Sequence, residues 1–428
     1  MNDGKSTRRQ FMKRGLASGA AAGLASAALP ARSVARAIGA NERIRVGAIG
    51  LGIRAHWCVD WIKKASATQP VEIVAGCDVW RQRRESYADR VKKAFDADVR
   101  LCENYREILD AKDVDVAHIA SPDHQHCAIL AEAVQAGKDA YIEKPIAMDL
   151  DELNRTYDIV KAAKAVVQHG TQGRSYPGAQ PVRAFVQSGK LGKLIRVEQS
   201  RSLYLPYWNY FPRPEKESDT NWKLFLFNRP MRPFDADQHG NWMGYRDFSL
   251  GPIGGWMSHF SDFTHYVTGC GFPVSAVCHG GIFSPTSEPK RTCPDNVTAV
   301  LEYGEGFTTS YWTHFGSGAN DYMTFFGSKG TLSTDYPDGQ NGAINPRICG
   351  AGSEHPDKIK QEKPEPLENT LVEDHMVNFY RCVRERKQPH ADMDAGYKHG
   401  VAVLLADRAM VEGRKMTFDP KTRQIRPA

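Results

Sequence analysis

The chain has 428 residues, and its 56 basic and 50 acidic side chains leave a formal charge of +6. A hydrophobic fraction of 41% and a charged fraction of 25% are ordinary globular values, which exclude collagen, fibre and wholesale disorder and leave room for two or three domains. Residues 1–37 hold seven basic side chains and one acid, so the remainder balances at 49 of each and gives no general electrostatic basis for binding nucleic acid or an anionic membrane.

Residues 1–37 read as a leader. Thr7-Arg8-Arg9-Gln10-Phe11-Met12-Lys13 is followed by a weakly apolar run, Gly15 to Leu29, and by Ala35-Arg36-Ala37, a small-x-small cleavage pattern. Paired arginines, a short apolar region and that site resemble a twin-arginine export signal. The run is too short and too rich in Ala and Gly to span a membrane, and no Cys precedes Cys58 to carry a lipid anchor. The expected location is the periplasm, reached through the twin-arginine machinery. That route carries folded proteins, often with cofactor bound. The nine cysteines are odd in number and scattered, with no Cys-x-x-Cys pair, and do not read as a disulfide framework.

Short apolar runs then alternate with helical patterns. Ile44–Ile49, Val71–Cys77, Val114–Ala120, Ala140–Ile142 and Val166–His169 predict strands. His56–Lys64, His124–Ala136 and a segment opened by the capping box Asp149-x-x-Glu152 and running to about Ala163 predict helices. This is the pattern of a parallel, doubly wound sheet. After residue 170 the pattern changes. Residues 203–250 are aromatic, Pro-rich and irregular. From Val274 to Thr334 the period is about two, which predicts a mainly antiparallel sheet over Val297–Tyr303, Phe307–Phe315, Tyr322–Phe326 and Gly330–Thr334. Residues 336–369 read as a Gly/Pro/charge-rich loop, and Leu371–Glu385 and Asp394–Glu412 as closing helices. The expected organisation is a leader over 1–37, an α/β Rossmann domain over 38–165 and an α+β domain over 166–428, with the reactive cleft between the two domains.

Gly50-Leu51-Gly52-Ile53-Arg54-Ala55 follows the first strand and opens a helix. Gly50 permits a tight turn, Gly52 lets backbone approach a pyrophosphate, and Ala55 is small enough for helix–strand packing. The helix N-terminus then offers N–H groups to phosphate. Asp78 ends the second strand. A carboxylate there accepts from both ribose hydroxyls and repels a 2′-phosphate, which favours NAD over NADP. Arg81, Arg83 and Arg84 follow and pull the other way.

Ser121-Pro122-Asp123-His124-Gln125-His126 follows the third predicted strand, and Tyr141-Ile142-Glu143-Lys144-Pro145 the next. With Ser188-Gly189-Lys190-Leu191-Gly192, His259-x-x-Asp262 and Gly327-Ser328-Lys329-Gly330-Thr331, these motifs resemble the glucose–fructose oxidoreductase / inositol dehydrogenase / MocA family across essentially the whole mature chain. The resemblance implies two domains, a tightly held nicotinamide cofactor, sugar or polyol substrates, and an open sheet that supports dimers or tetramers. It extends the cofactor site to Ile53, Ser121, Pro122, His124, His126 and Glu143. It puts Lys144 in the active site, often before a cis proline. A lysine partly desolvated beside a cationic ring has a lowered pKa and takes a hydroxyl proton as hydride leaves the same carbon. The resemblance also makes His259 catalytic, with an Asp four positions before it. In this chain that position is Gly255, so the usual Lys–Asp–His relay is incomplete. Asp262 and His259 share a helical face, and Asp262 is expected to orient the imidazole.

Sugar recognition is expected from Arg174 and Asp262 and from the aromatic stretch, through Tyr204, Trp222, Lys223, Trp242, Tyr245 and Arg246, because sugars present apolar faces and polar rims. No metal is expected: His259, Asp262 and His265 stand at three-residue steps, and the two histidines would point about 240° apart on a helix. Three functions compete. The leading one is an NAD-dependent oxidoreductase that acts on a sugar or glycoside hydroxyl and recycles a bound cofactor. The second is a glycoside hydrolase working by transient oxidation and elimination. The third is a non-catalytic sugar or nucleotide sensor.

Overall fold

The computed structural model describes residues 39, 42–210, 212–214, 216–288, 290–318, 322–335, 345–349, 365–368 and 370–428. Residues 1–37, expected to be a leader, and most of the 336–369 segment lie outside these residues.

The N-terminal half builds one six-stranded parallel sheet. Its strands are β1 Ile44–Ile49, β2 Val71–Cys77, β3 Arg100–Cys102, β4 Val116–Ile119, β5 Asp139–Ile142 and β6 Val167–His169, in the order β3-β2-β1-β4-β5-β6. Every residue of β4, β5 and β6 is buried, as a sheet covered on both faces requires. Helices α1 Ile53–Ala65, α2 Arg81–Phe95, α3 Arg106–Asp110, α4 His126–Gln135 and α5 Leu150–Ala163 cover it. Asp149 caps α5 as the capping box predicts, accepting from the Glu152 N–H at 2.9 Å. The sheet reverses direction between β1 and β4, and their carboxyl ends form the crevice where such folds take ligands.

The second half begins with α6 Ala179–Gln187 and β7 Leu194–Leu203. An irregular stretch follows, containing the short helices α7 Trp222–Leu226 and α8 Ala236–Gly240. A π-helical turn, Ile253–Met257, then runs into α9 Ser258–Thr268. The strands that follow are β8 Pro273–Gly281, β9 Asn296–Tyr303, β10 Phe307–Phe315, β11 Tyr322–Gly327, β12 Gly330–Asp335, β13 Asn345–Cys349 and β14 Glu365–Pro366. Helices α10 His375–Glu385 and α11 Met393–Glu412 precede the hairpin of β15 Met416–Asp419 and β16 Gln424–Pro427. Among the described residues these strands form a ten-stranded sheet in the order β14-β13-β12-β11-β7-β10-β9-β8-β15-β16, antiparallel except for β7 beside β10. The expected loop therefore contains two strands, β13 and β14.

The boundary at 165 is corrected in two places. β6 completes the parallel sheet from beyond it. Helix α10 returns to the N-terminal core, where Met376, Phe379, Tyr380 and Val383 pack with Val59, Ile62 and Tyr87. Each such buried side chain contributes about 1.5–3 kcal/mol. Helix α11 ties the halves together. Gly396 and Gly400 bring its backbone so near the loop after β5 that a Cβ on Gly400 would stand 2.9 Å from Ile146 and from Leu153. Gly400→Val should lower stability by about 1–3 kcal/mol through overpacking, read as an earlier urea midpoint with unchanged slope.

Candidate functional site

The site starts at the glycine turn. Gly50 has φ +81°, and a Cβ on it would lie 2.5 Å from the backbone of Ser121. Only glycine gives both the positive φ and this approach of the β1 and β4 loops. No side chain caps α1, so its first N–H groups face the crevice, with Gly52 and Ile53 at its mouth. Asp78 is buried. One of its oxygens accepts from the Leu51 N–H at 2.7 Å and the other from the Trp80 N–H at 2.8 Å. It therefore shapes the glycine turn itself, and each oxygen keeps lone-pair capacity for a ribose hydroxyl. Arg81 is drawn off to Asp219 at 2.7 Å, and Arg84 donates to the Asp78 carbonyl at 2.6 Å. Arg83 alone of the three arginines lines the crevice, 4.0 Å from Asp78.

The second domain closes over this crevice. Thr220 bridges to Trp80, the Asn221 N–H donates to the Val79 carbonyl at 3.0 Å, and the Asn221 side chain donates to Glu103 at 2.9 Å. His124 Nε2 and the Gln125 amide both donate to the Phe225 carbonyl, at 2.9 and 3.0 Å. The result is a strap from about residue 217 to 227. It roofs a pocket lined by Gly50, Asp78, Arg83, Tyr105, Ser121, Pro122, Phe225 and Phe227 among others. The buried Ser121 hydroxyl has no partner among the described residues. The cradle, the uncapped helix end, the free hydroxyl and the apolar walls fit a dinucleotide. His124 and His126 both hold the walls of this crevice. Burial pushes His124 down to about 3, so the ring is neutral and latches the strap. His126 spans the carbonyls of Ser121 and Pro145, at 2.8 and 2.7 Å, pinning the β4 and β5 loops together.

Lys144 stands at the carboxyl end of β5, before a cis bond to Pro145. It is partly buried, and its Nζ donates to the carbonyl of Gly255 in the π-helical turn at 2.8 Å. Desolvation, and then the nearby Arg54 guanidinium, push the amine down to about 8. Glu143 is buried beside it, 3.6 Å from Arg54, and accepts from Gln172 at 3.2 Å. A Cβ on Gly170 would strike the Glu143 carboxylate at 2.6 Å, so glycine is needed there for space. Asp123 also interacts with Lys144. It is buried, accepts from the Ser249 hydroxyl at 2.8 Å, and burial pushes it up to about 7. Arg54 and Asp123 were not singled out from the sequence. Arg54 sits inside the glycine motif and Asp123 inside Pro122-Asp123, which are the only signals for them.

His259 lies on α9 near Lys144, and burial together with the Lys144 and Arg54 charges holds its pKa well below the usual range. Its ring makes no side-chain hydrogen bond among the described residues. The expected Asp262–His259 pairing is corrected. Both Asp262 oxygens accept from Arg174, at 2.7 and 2.8 Å, and although burial opposes its charge, the guanidinium holds the carboxyl below the usual range. Asp262 also forms a buried cluster with His169 and His399, their ligating atoms within 4.8 Å of one another. Arg174 already occupies both carboxylate oxygens of that cluster. His265 bonds instead to Tyr303 at 2.9 Å.

The aromatic stretch behaves differently from the expectation. Tyr204 is 66% exposed. Trp222 is buried against Phe225, with its indole N–H on the Arg232 carbonyl at 2.8 Å. Trp242 is buried in the same cluster. Tyr245 bonds to Asp237, and Arg246 forks onto Asp407. The polar groups of Trp222, Tyr245 and Arg246 are thus engaged within the second domain and the strap.

A model of the oxidoreductase family's NAD-binding Rossmann fold matches residues 44–171, and that of its C-terminal α/β domain matches residues 183–418. The chain belongs to the glucose–fructose oxidoreductase, inositol dehydrogenase and MocA family. Within this family, a glycosyl hydrolase family 109 protein of Phocaeicola vulgatus is 28% identical over 190 residues, 43% of this chain and 35% of the relative. Levoglucosan dehydrogenase of Pseudarthrobacter phenanthrenivorans is 25% identical over 253 residues, 54% of this chain and 58% of the relative. The chain thus spans between a third and three-fifths of the length of these relatives. Among solved structures, aldose–aldose oxidoreductase of Caulobacter crescentus, complexed with glycerol, shares the fold with a TM-score of 0.66 and 17% identity. That match covers 88% of this chain and all of the other. Levoglucosan dehydrogenase in complex with NADH and levoglucosan shares it at 0.63 and 15%, covering 88% and 99%.

The strap geometry carries a prediction. Replacing His124 and Gln125 together by Ala removes two bonds worth about 1 kcal/mol each. Bound NAD should then leave at least about tenfold faster, measured by nucleotide release into a rapid scavenger.

Proposed function

We propose that this protein is an NAD-dependent oxidoreductase that acts on a hydroxyl of a sugar or glycoside and keeps its nucleotide between turnovers. The observation that carries the reading is the Lys144 amine, lowered to about 8 beside the nucleotide crevice. When bound, the nicotinamide supplies a hydride acceptor that can return the hydride. Lys144 in its neutral form takes the hydroxyl proton as the carbonyl forms. Arg54 keeps the amine from holding that proton too firmly, and buried Asp123 provides a neighbouring carboxyl that shares it. His259, an electrostatic neighbour of Lys144, is given the second contact with that hydroxyl. Polyol chemistry is supported by the names of partial relatives, levoglucosan dehydrogenase and inositol 2-dehydrogenase.

A redox-neutral glycoside hydrolase is the second reading. It is favoured by the family 109 relative and by a strap that retains the nucleotide. Oxidation at one ring carbon acidifies the neighbouring C–H. Loss of that proton expels the glycosidic oxygen, water adds, and re-reduction restores both sugar and nucleotide. Such a closed cycle suits an exported enzyme. We read residues 1–37 as its twin-arginine signal and the periplasm as its place of work. A second copy of the chain suits the outer face of the large sheet, where Ile195, Val277 and Val300 are exposed.

Two measurements test this. Mass spectrometry of nucleotide released from denatured, dialysed protein should find stoichiometric NAD or NADH; an empty pocket contradicts retention, and NADP contradicts the role given to Asp78. Lys144→Met should keep the nucleotide and lose turnover of levoglucosan, myo-inositol or p-nitrophenyl glycosides by about 100-fold or more. Full activity in that variant would remove Lys144 from the chemistry.

A further inference from the structure

The space where a side chain on residue 255 would stand is already filled. An ideal Cβ on Gly255 lies 2.6 Å from the Tyr207 hydroxyl oxygen and 3.3 Å from the ring carbon bearing it, and its three nearest neighbours are all atoms of Tyr207. Tyr207 begins the short turn after β7. Its ring is wedged among Trp208, Trp256 and Phe315, at 5.1, 5.0 and 5.6 Å between centroids. The carbonyl of the same Gly255 receives the Lys144 amine at 2.8 Å. One residue thus touches the amine through its backbone and the tyrosine through its missing side chain.

The Tyr207 hydroxyl is buried and has no hydrogen-bond partner among the described residues. Leaving a buried hydroxyl unpaired is unfavourable, and phenylalanine would pack in this aromatic box as well. Burial and the nearby Asp123 carboxylate raise the hydroxyl well above its ordinary range, so it stays a donor at any working pH.

We propose that Tyr207 is a catalytic residue: its hydroxyl donates to the reacting oxygen of the substrate, from the place a side chain on residue 255 would occupy, while Lys144 takes the proton. The inference rests on the oxidoreductase reading. The substrate O–H bond breaks, its proton forms an N–H bond on neutral Lys144, and the oxygen electron pair closes the C=O bond. The hydride leaves the carbon with its electron pair for the nicotinamide. Negative charge gathers on the oxygen during this step, and a fixed donor in a water-poor pocket stabilises it. On return, the same hydroxyl polarises the ketone as Lys144 gives the proton back.

The test is a cycle between positions 207 and 255, read by melting temperature, nucleotide retention and turnover of levoglucosan, myo-inositol and p-nitrophenyl α-N-acetylgalactosaminide. Tyr207→Phe should keep the fold and the nucleotide and lose about 100-fold in turnover. Gly255→Ser alone should melt earlier, because its Cβ collides with the tyrosine hydroxyl. In a Tyr207→Leu background the same serine should cost no melting temperature and should regain about tenfold in turnover over Tyr207→Leu alone by restoring a hydroxyl there. Tyr207→Phe within threefold of wild type overturns the proposal, and so does a serine whose melting penalty ignores residue 207. If the wild type is inert on all three sugars, the sugar reading has failed instead. The catalytic role of Tyr207 then falls with it, and the melting cycle shows only that the tyrosine fills the space at residue 255.

Discussion

The hydrogen bond from Lys144 to the carbonyl of Gly255 crosses the junction of the two domains, and the working geometry depends on it. One end lies in the loop just after a strand of the parallel sheet, the other in a π-helical turn in the second half. Turns of this kind are rare and recur at functional sites. Here the turn aims a carbonyl at the amine while α9, directly after it, presents His259. Neither half holds a finished site. The close packing of α11 against the loop after β5, and the return of α10 into the N-terminal core, keep the two ends in register.

The electrostatics follow from that junction. Closing two domains over an amine removes water from it, and desolvation is the largest influence on Lys144. The same burial raises Asp123 and lowers His124, His259 and His399. The imidazoles are therefore neutral, and the ionised side chains in the cleft wall are placed in opposed pairs, Arg54 with Glu143 and Arg174 with Asp262. A site with little uncompensated charge suits a substrate made of hydroxyls. The strap adds the other half of the design, because Phe225 and Phe227 line the nucleotide crevice and His124 and Gln125 tie the strap to the N-terminal half.

Most of the fold follows from local pattern. β1, β2 and β10 occupy the predicted residues, and Asp149 caps α5 as its spacing implies. The misses have physical causes. Helix α2 is so rich in Arg, Lys, Glu and Asp that only Tyr87 and Val91 mark its buried face. β7 alternates buried residues with Arg and Glu and contains several polar core positions, so its period does not stand out. The site divides in the same way. Glycine turn, Asp78 and Lys144 are contiguous motifs and readable one by one. The strap is not, because 217–227 meets 79–125 only through the fold. The aromatic stretch points to Tyr204 and gives no sign of Tyr207, because three residues along an irregular segment separate an exposed ring from one that reaches Gly255.

The account turns on an amine that gives up its proton near pH 8 because protein, rather than water, surrounds it. Competitive labelling of the intact, nucleotide-loaded protein with trace acetic anhydride, followed peptide by peptide across pH, reads that state directly at each lysine. Lys144 should titrate with a midpoint near 8, about two units below the exposed lysines, which follow the ordinary value near 10.4. A Lys144 that titrates with the exposed lysines would contradict the account, because a permanently charged amine cannot take the substrate's proton.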